Sequence, residues 1–420
     1  MSERIWIIGV GADGLGGLRP ELRRVIAEAA FVAAGRRQLE WLDHLPRETF
    51  VIRDNVPELI ARLRDWAAAG VAVVLASGDP LFFGVGRALC EALGREALRV
   101  EPAVSSMQLA FARCGMSWQG AEIASIHGRD LATELLPVLG RRRIGIFSED
   151  GSSPRAVAEF FTRRGAADYR VWVCEQLGTP NEQLTVLSLE EILNRGVAFS
   201  ALNFLVLERQ QPDSYFHELE RLRSLAPGIP DDEFIRPDTG PVLMTHQEVR
   251  SVTLAKLAPG RVPGGTIWDI GAGIGTISVE SALLNPAANV LAVERSNHEF
   301  ALLARNRERF GAYNVQPTLG ESPAALSGEI AQPHSVFIGG SGSQLAATLE
   351  LIRDRLEPHG RLVANFVTIE NLALCLSGCD RWRWPRQVVQ IAVARSDRLA
   401  DLTGLRPERP VWVLATEKSG

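Results

Sequence analysis

Lysine is almost absent from this chain: of 45 basic residues only Lys256 and Lys418 are lysine, and the other 43 are arginine. Genomic base composition explains that most simply. The functional reading is a ligand with several carboxylates, which arginine forks grip better than ammonium groups do. Cysteine is sparse as well. The five, Cys90, Cys114, Cys174, Cys375 and Cys379, are odd in number and mostly scattered, which excludes a disulfide framework and fits a reducing compartment. Cys375 and Cys379 have no second pair at matching spacing, so they read as buried helix cysteines and no metal site is expected. No run approaches the ~18 apolar residues of a membrane span. Charge of one sign is not in excess either: 45 basic against 50 acidic residues leave a net −5, with no global drive toward nucleic-acid phosphates. Neither nucleic acid nor membrane is expected as a partner. The first apolar run meets a glycine loop at Gly9, too early for a signal peptide, so a cytoplasmic location is expected.

What is present is apolar mass. With 420 residues, 46% of them hydrophobic, the chain has material for two or three cores. Over the first ~210 residues short apolar runs (Ile5 to Val10, Val71 to Ala76, Ile144 to Phe147, Val171 to Cys174, Leu202 to Leu207) alternate with segments of helical spacing (Leu18 to Ala30, Pro57 to Ala69, Ser105 to Cys114, Pro154 to Arg164). That alternation predicts parallel sheet, in two groups divided near Gly115 to Ala121. Residues 211–240 are dense in Pro, Gly and Asp and read as a linker with one short helix. The alternation then restarts: a helix at Gln247 to Ala258, strands at Thr266 to Ile270, Val290 to Val293, Ser335 to Ile338 and Arg361 to Phe366. Gln387 to Ala394 and Val411 to Ala415 are separated only by a polar loop, so they should pair antiparallel. The expected architecture is α/β throughout: a two-lobed domain over 1–210, with lobes about 1–115 and 116–210, the linker 211–240, and a Rossmann-like domain over 241–420 ending in an antiparallel hairpin.

Glycine loops follow the strands. In Asp269-Ile270-Gly271-Ala272-Gly273-Ile274-Gly275 the glycines permit a sharp turn and close approach of a ligand, and the helix behind offers free N–H groups. Glu294 ends the next strand, where an acid can accept hydrogen bonds from both hydroxyls of a ribose. The third glycine comes one residue too early for a dinucleotide fingerprint. Asp269 would repel a pyrophosphate and attract a cationic amino-acid ligand. S-adenosylmethionine fits better than NAD. Gly9-Val10-Gly11-Ala12-Asp13-Gly14 does match the dinucleotide pattern literally, with Arg36 and Arg37 where a 2′-phosphate would sit, but Asp13 opposes phosphates and the helix starts late. Two further loops, Ala76 to Gly84 and Glu101 to Ser106, also lie at strand carboxyl ends and describe a cleft.

At these residues a family resemblance enters. Gly9-Val10-Gly11, Ser77-Gly78-Asp79-Pro80, Pro102-Ala103-Val104-Ser105-Ser106 and Glu175-Gln176-Leu177-Gly178-Thr179 resemble the tetrapyrrole methylases of corrin and siroheme synthesis, and His127-Gly128-Arg129 the branch acting on carbon 5 of the precorrin ring. Met244-Thr245-His246-Gln247-Glu248-Val249-Arg250, Trp268 to Gly273 and Phe337-Ile338-Gly339-Gly340-Ser341-Gly342 are similar to the decarboxylating class I methyltransferases acting on carbon 15. Fusion in this order resembles the decarboxylating C5,15-methyltransferases of precorrin-6B. Two positions depart from the usual pattern: Ala12 stands where a proline is common, and His246 where a lysine is.

The resemblance implies two S-adenosylmethionine sites, a tetrapyrrole substrate and an assembly of identical chains. The first site would use Gly78, Asp79, Pro80, Ser105 and Ser106. The second would use Thr245, Asp269, Gly271, Ala272, Gly273, Ile274, Gly275 and Glu294, with Glu321 and Ser322 near the adenine. Loss of carbon dioxide from the ring's C-12 acetate is expected in the C-terminal domain, with His246 or Glu248 handling a proton; capping of the following helix is the simpler role for His246. Arg129, near His127, would pair with a substrate propionate or hold a loop. Two other classes stay open here: an NADP-dependent reductase fused to a methyltransferase, resting on Gly9, Gly11, Gly14 and Arg36, and a tetrapyrrole-binding carrier.

Overall fold

The computed structural model describes residues 5–42, 48–239, 244–340, 342–399 and 401–420, without the side chains of 67–69 and 399. Pro241 of the expected domain boundary and Ser341 of the quoted motif lie outside the described residues. Two compact units emerge. The first takes residues up to Arg129 with Arg143–Glu159 and Tyr169–Glu208; the second takes Asp130–Arg142, Phe160–Asp168 and Arg209–Gly420.

In the first unit, β1 (Ile5–Val10), β2 (Phe31–Ala34), β3 (Glu48–Val51), β4 (Ala72–Ser77) and β5 (Leu98–Glu101) form a sheet in the order β3-β2-β4-β1-β5. Every pairing in it is parallel. β2 and β4 are buried over almost their whole length, as apolar runs must be when helices cover both faces. The next five strands are β6 (Glu122–Ser125), β7 (Arg143–Phe147), β8 (Tyr169–Glu175), β9 (Gln183–Ser188) and β10 (Asn203–Arg209), in the order β6-β7-β10-β8-β9. This sheet departs from the parallel expectation. β6 and β7 are parallel, but β10 runs antiparallel to β7 and β9 antiparallel to β8. Only a short turn joins β8 to β9, and without a crossover helix a chain can return only antiparallel.

The second unit carries β11 (Thr266–Ile270), β12 (Asn289–Glu294), β13 (Val315–Leu319), β14 (Ser335–Ile338), β15 (Arg361–Phe366), β16 (Arg386–Ile391), β17 (Ala394–Leu399), β18 (Leu402–Pro407) and β19 (Val411–Glu417). Seven of them form one sheet, β13-β12-β11-β14-β15-β19-β16, parallel up to β15 and closed by antiparallel β19 and β16. β11 is buried at all five positions, which places its carboxyl end in the middle of the sheet. The polar loop expected between the last two strands is itself a two-stranded hairpin, β17–β18, which also takes Ala394. Much of 211–240, expected as a linker, is packed structure: Asp213–Ser224 is a helix, and Leu222, Ile229 and Phe234 share a core with Ala272, Ile274, Leu303 and Phe310. Cys375 and Cys379 are buried on the helix Ile369–Trp382, as their spacing predicts.

Candidate functional site

Three loops of the first unit meet at the carboxyl ends of β1, β4 and β5. The Gly78 amide donates to the Val10 carbonyl at 3.0 Å, and the Ala103 amide donates to the Gly78 carbonyl at 3.1 Å. The backbones touch so closely that a Cβ on Gly9 would lie 2.0 Å from the Gly78 oxygen, and Gly78 itself sits at φ +62°. Only glycine meets both demands. Asp79 turns the loop by accepting the Leu81 amide at 2.9 Å, and Pro80 is buried beneath it. Ser105 is committed to the fold: its hydroxyl accepts the Gln108 amide while the Gln108 side chain accepts the Ser105 amide, a capping box that starts the helix Ser106–Arg113. Ser106 is exposed at the mouth.

A fourth segment joins them, because a Cβ on Gly178 (φ +77°) would lie 2.9 Å from the Ala12 Cβ. His127 and Arg129 follow β6 and are exposed. The Arg129 guanidinium lies 5.2 Å from the centre of the Phe83 ring, on the loop after β4. Sequence reading missed the apolar side chains here: Leu81, Phe83 and Val104 are 50%, 40% and 56% exposed on the same loops. The literal dinucleotide motif does not build a phosphate site. The Asp13 carboxylate lies over Gly11 and Gly17, and a 3₁₀ turn, Gly14–Gly17, stands where a helix N-terminus would have to point.

In the second unit Gly271, Gly273 and Gly275 all adopt positive φ, at 74°, 57° and 89°. A Cβ on Gly271 would lie 2.1 Å from the Gly340 oxygen, so the loop after β11 runs directly against the loop after β14. Glu294, at the end of β12, accepts the Gly273 amide at 2.8 Å and the Ser296 amide at 2.9 Å. Its own carbonyl accepts the Gly320 amide, tying in the segment that carries Glu321 and Ser322. Glu321 is partly exposed, 3.3 Å from Arg295, whereas Ser322 is buried with its hydroxyl on Thr348. Ala272 and Ile274 point into the core; they shape the loop.

Asp269 is 1% exposed and takes a hydrogen bond from Ser278 on one oxygen, while the other, Oδ1, has no partner. Burial, with Glu294 close by, pushes its pKa up to about 7 against the Ser278 bond. Among the described residues neither Asp269 nor Glu294 forms an ion pair. Two buried carboxylates without a cation among the described residues, beside a glycine loop, fit a cationic amino-acid nucleoside and oppose a pyrophosphate. A carboxyl raised in the folded state favours folding at low pH, and that contribution is lost as pH rises through about 7. Asp269→Asn is therefore expected to flatten the pH dependence of stability between about pH 4 and 7 and to weaken S-adenosylmethionine binding. Thermal scans across that window, with and without ligand, check both; an unchanged slope would remove Asp269 from the role.

Around the N-terminus of the helix Gln247–Leu257 the charged groups are all engaged. The Thr245 carbonyl accepts from Arg250 at 2.5 Å and faces Thr276, the first residue after the glycine loop, at 3.5 Å. His246 occupies the cap position, yet its side chain makes no capping bond; Nδ1 lies 2.7 Å from Asp231 Oδ2 instead. Both Glu248 oxygens receive Arg395, at 2.9 and 2.8 Å, and that guanidinium holds the Glu248 pKa below the usual carboxylate range. Arg250 is fully buried and reaches Asp231 and Glu280, which sequence reading also missed.

Residues 4–193 match a family model described as tetrapyrrole (corrin/porphyrin) methylases, and residues 239–418 match one described as a precorrin methyltransferase domain. A Sinorhizobium protein named precorrin-6Y C(5,15)-methyltransferase (decarboxylating) is 34% identical over 423 residues, covering 98% of this chain and 95% of that protein. A protein of the same name from Mycobacterium tuberculosis is 30% identical over 410 residues, covering 97% and 98%. A Salmonella typhi protein named cobalt-precorrin-6B C(15)-methyltransferase (decarboxylating) is 35% identical over 198 residues, 45% of this chain and 95% of that protein.

Proposed function

The chain belongs to the family of decarboxylating precorrin-6Y C5,15-methyltransferases, and from that premise we propose that its two clefts divide the work. The enzyme is an S-adenosylmethionine-dependent methyltransferase of cobalamin synthesis that methylates a precorrin at C-5 and C-15 and decarboxylates it. Each cleft holds its own cofactor. The loops at Gly9, Gly78 and Ser105–Ser106 serve C-5, within a tetrapyrrole methylase domain over 1–210; the cleft at Gly271 to Glu294 serves C-15 and decarboxylation, within a domain over 241–420. The observation that carries this reading is that Asp269 and Glu294, beside the loop Gly271 to Gly275, are buried without a cation among the described residues, with Asp269 Oδ1 lacking any partner. Its complement is a ligand bearing an ammonium and a sulfonium.

When bound, S-adenosylmethionine supplies an electrophilic methyl group. The protein's part is alignment. Enamine-like ring carbons are already nucleophilic, and holding them in line is worth ~7–11 kcal/mol of barrier. In the first cleft the exposed Leu81, Phe83 and Val104 offer an apolar bed for the face of a macrocycle, and Arg129 beside Phe83 receives a carboxylate at its rim. In the second, His246 remains half-exposed, while Glu248 is neutralised by Arg395. His246 therefore gives up the proton. As the C-12 acetate breaks its C–C bond, the electron pair enters the conjugated ring, carbon dioxide leaves, and imidazolium protonates the carbon left behind.

The test is mass spectrometry of products from metal-free precorrin-6B and S-adenosylmethionine with the full chain. Two methyl groups gained and one carbon dioxide lost is the expected product. If cofactor binds and no mass changes, the substrate is wrong, and cobalt-loaded rings are tried next.

A further inference from the structure

We infer that Asp231 is a positioning residue for the decarboxylating half-reaction: it fixes the His246 ring through Nδ1 and sets a carboxylate against the imidazole that gives up the proton. This rests on the role given to His246 above. Asp231 opens the 3₁₀ turn Asp231–Glu233, fifteen residues before His246, and neither its position nor its neighbours in sequence announce it. The geometry does. Oδ2 lies 2.7 Å from His246 Nδ1, and Oδ1 lies 3.0 Å from Arg250 Nη1, so each oxygen has its own partner. Arg250 in turn is immobile: fully buried, it is held by Glu280, the Ile229 carbonyl and the Thr245 carbonyl. A carboxylate anchored on that side cannot rotate away, and the imidazole bonded to it keeps one orientation, with Nε2 the ring nitrogen that has no partner among the described residues.

The groups facing the ring come from four elements. Asp231 belongs to the turn, and Glu248 and Arg250 to the helix beginning at Gln247. Arg395 comes from β17, 4.0 Å from Asp231, and Glu408 follows β18. Arg395 is spent on Glu248 and Glu408, and Arg250 is shared between Glu280 and Asp231 Oδ1, so the cations nearby are already matched by acids and Asp231 Oδ2 is left to His246. Asp231 remains the direct partner, and its hydrogen bond and charge raise the His246 pKa, against burial and Arg395. Asp231 itself is carried below its ordinary value by His246 and Arg250, although burial works the other way. A histidine held in this way does the work of a cationic acid, but only up to the pH at which its ring deprotonates. Decarboxylation should therefore fall on the basic side with a limb set by His246, whereas C-5 methylation, carried out by other residues, should not share it.

Carbon dioxide release and C-5 methylation are measured together across pH 5.5–9.5 for the full-length wild type and three variants, with saturating S-adenosylmethionine. His246→Ala should lower decarboxylation about 100-fold or more. Asp231→Asn, which preserves shape but removes the charge and one of the two acceptors, should move the basic limb to lower pH. His246→Lys should move it to higher pH, and C-5 methylation should stay unchanged in all three. If His246→Ala loses decarboxylation but Asp231→Asn keeps the wild-type profile, the Asp231 inference is wrong and the His246 reading survives. Full decarboxylation in His246→Ala would remove both. Because Asp231→Asn also touches Arg250, an NMR titration of the His246 ring in the unliganded wild type provides a second reading. A midpoint above that of an ordinary histidine supports the pairing, and one at or below it overturns the inference.

Discussion

Gly271→Val is expected to yield a product with one added methyl group and no loss of carbon dioxide. The position sits at φ +74°, in the left-handed region, which a β-branched side chain enters only at a cost of about 1–3 kcal/mol. The larger effect is steric. The new Cβ would lie 2.1 Å from the Gly340 oxygen and 2.6 Å from the Gly340 nitrogen, and neither is the end of a flexible side chain. Two backbone segments would have to separate, and with them the Gly273 amide that binds Glu294. A displacement of about 1 Å in a positioning loop costs on the order of 100-fold in rate, so C-15 methylation should fall at least that far. The C-5 cleft belongs to the other unit and should keep its rate. Mass spectrometry of the product, beside a thermal scan showing that the chain remains folded, checks it. Two methyl groups on the product would mean that the loop does not carry the C-15 cofactor.

Glu280→Ala should be the most destabilising single substitution near the second cleft. Glu280 and Arg250 are both 0% exposed, with Arg250 Nε 2.5 Å from Glu280. The same carboxylate accepts the Gly228 and Ile229 amides. Deleting it leaves a fully buried guanidinium with only Asp231 as counter-charge and two amides without acceptors, a loss of about 3–5 kcal/mol. The expected result is a large fall in the urea midpoint of the transition that includes the second unit. The double variant Glu280→Leu with Arg250→Met should recover part of the loss, since the buried guanidinium is gone, while the Gly228 and Ile229 amides stay without their acceptor and Asp231 keeps His246. A single variant within about 1 kcal/mol of wild type would show that the pair contributes little. Stability is also the link to function here, because Arg250 holds Asp231 and the Thr245 carbonyl next to the cofactor loop.

Sequence and tertiary structure divided the rest according to the range of the forces involved. β11, its glycine loop and the helix Thr276–Leu284 were legible because each demand there is local: a short, mostly apolar strand, glycines where φ must be positive, and an acid one strand further on. β2 was missed because Phe31–Ala34 follows a helix without a turn signal, and β13 because Pro317 makes an edge strand look like a loop. The hairpin β17–β18 was missed because arginines and aspartates on a two-sided polar ribbon give no burial pattern to read. The sequence by itself determined the three sheets' main strands, both sets of strand-end loops and the family. Only the tertiary structure decided what the charged residues do. His246 and Glu248 lie two apart, yet one meets Asp231 and the other Arg395, 147 residues away. A loop's shape is written in adjacent residues because backbone torsions are local; an ion pair is chosen by whatever the fold brings within about 4 Å, and no stretch of chain encodes that alone.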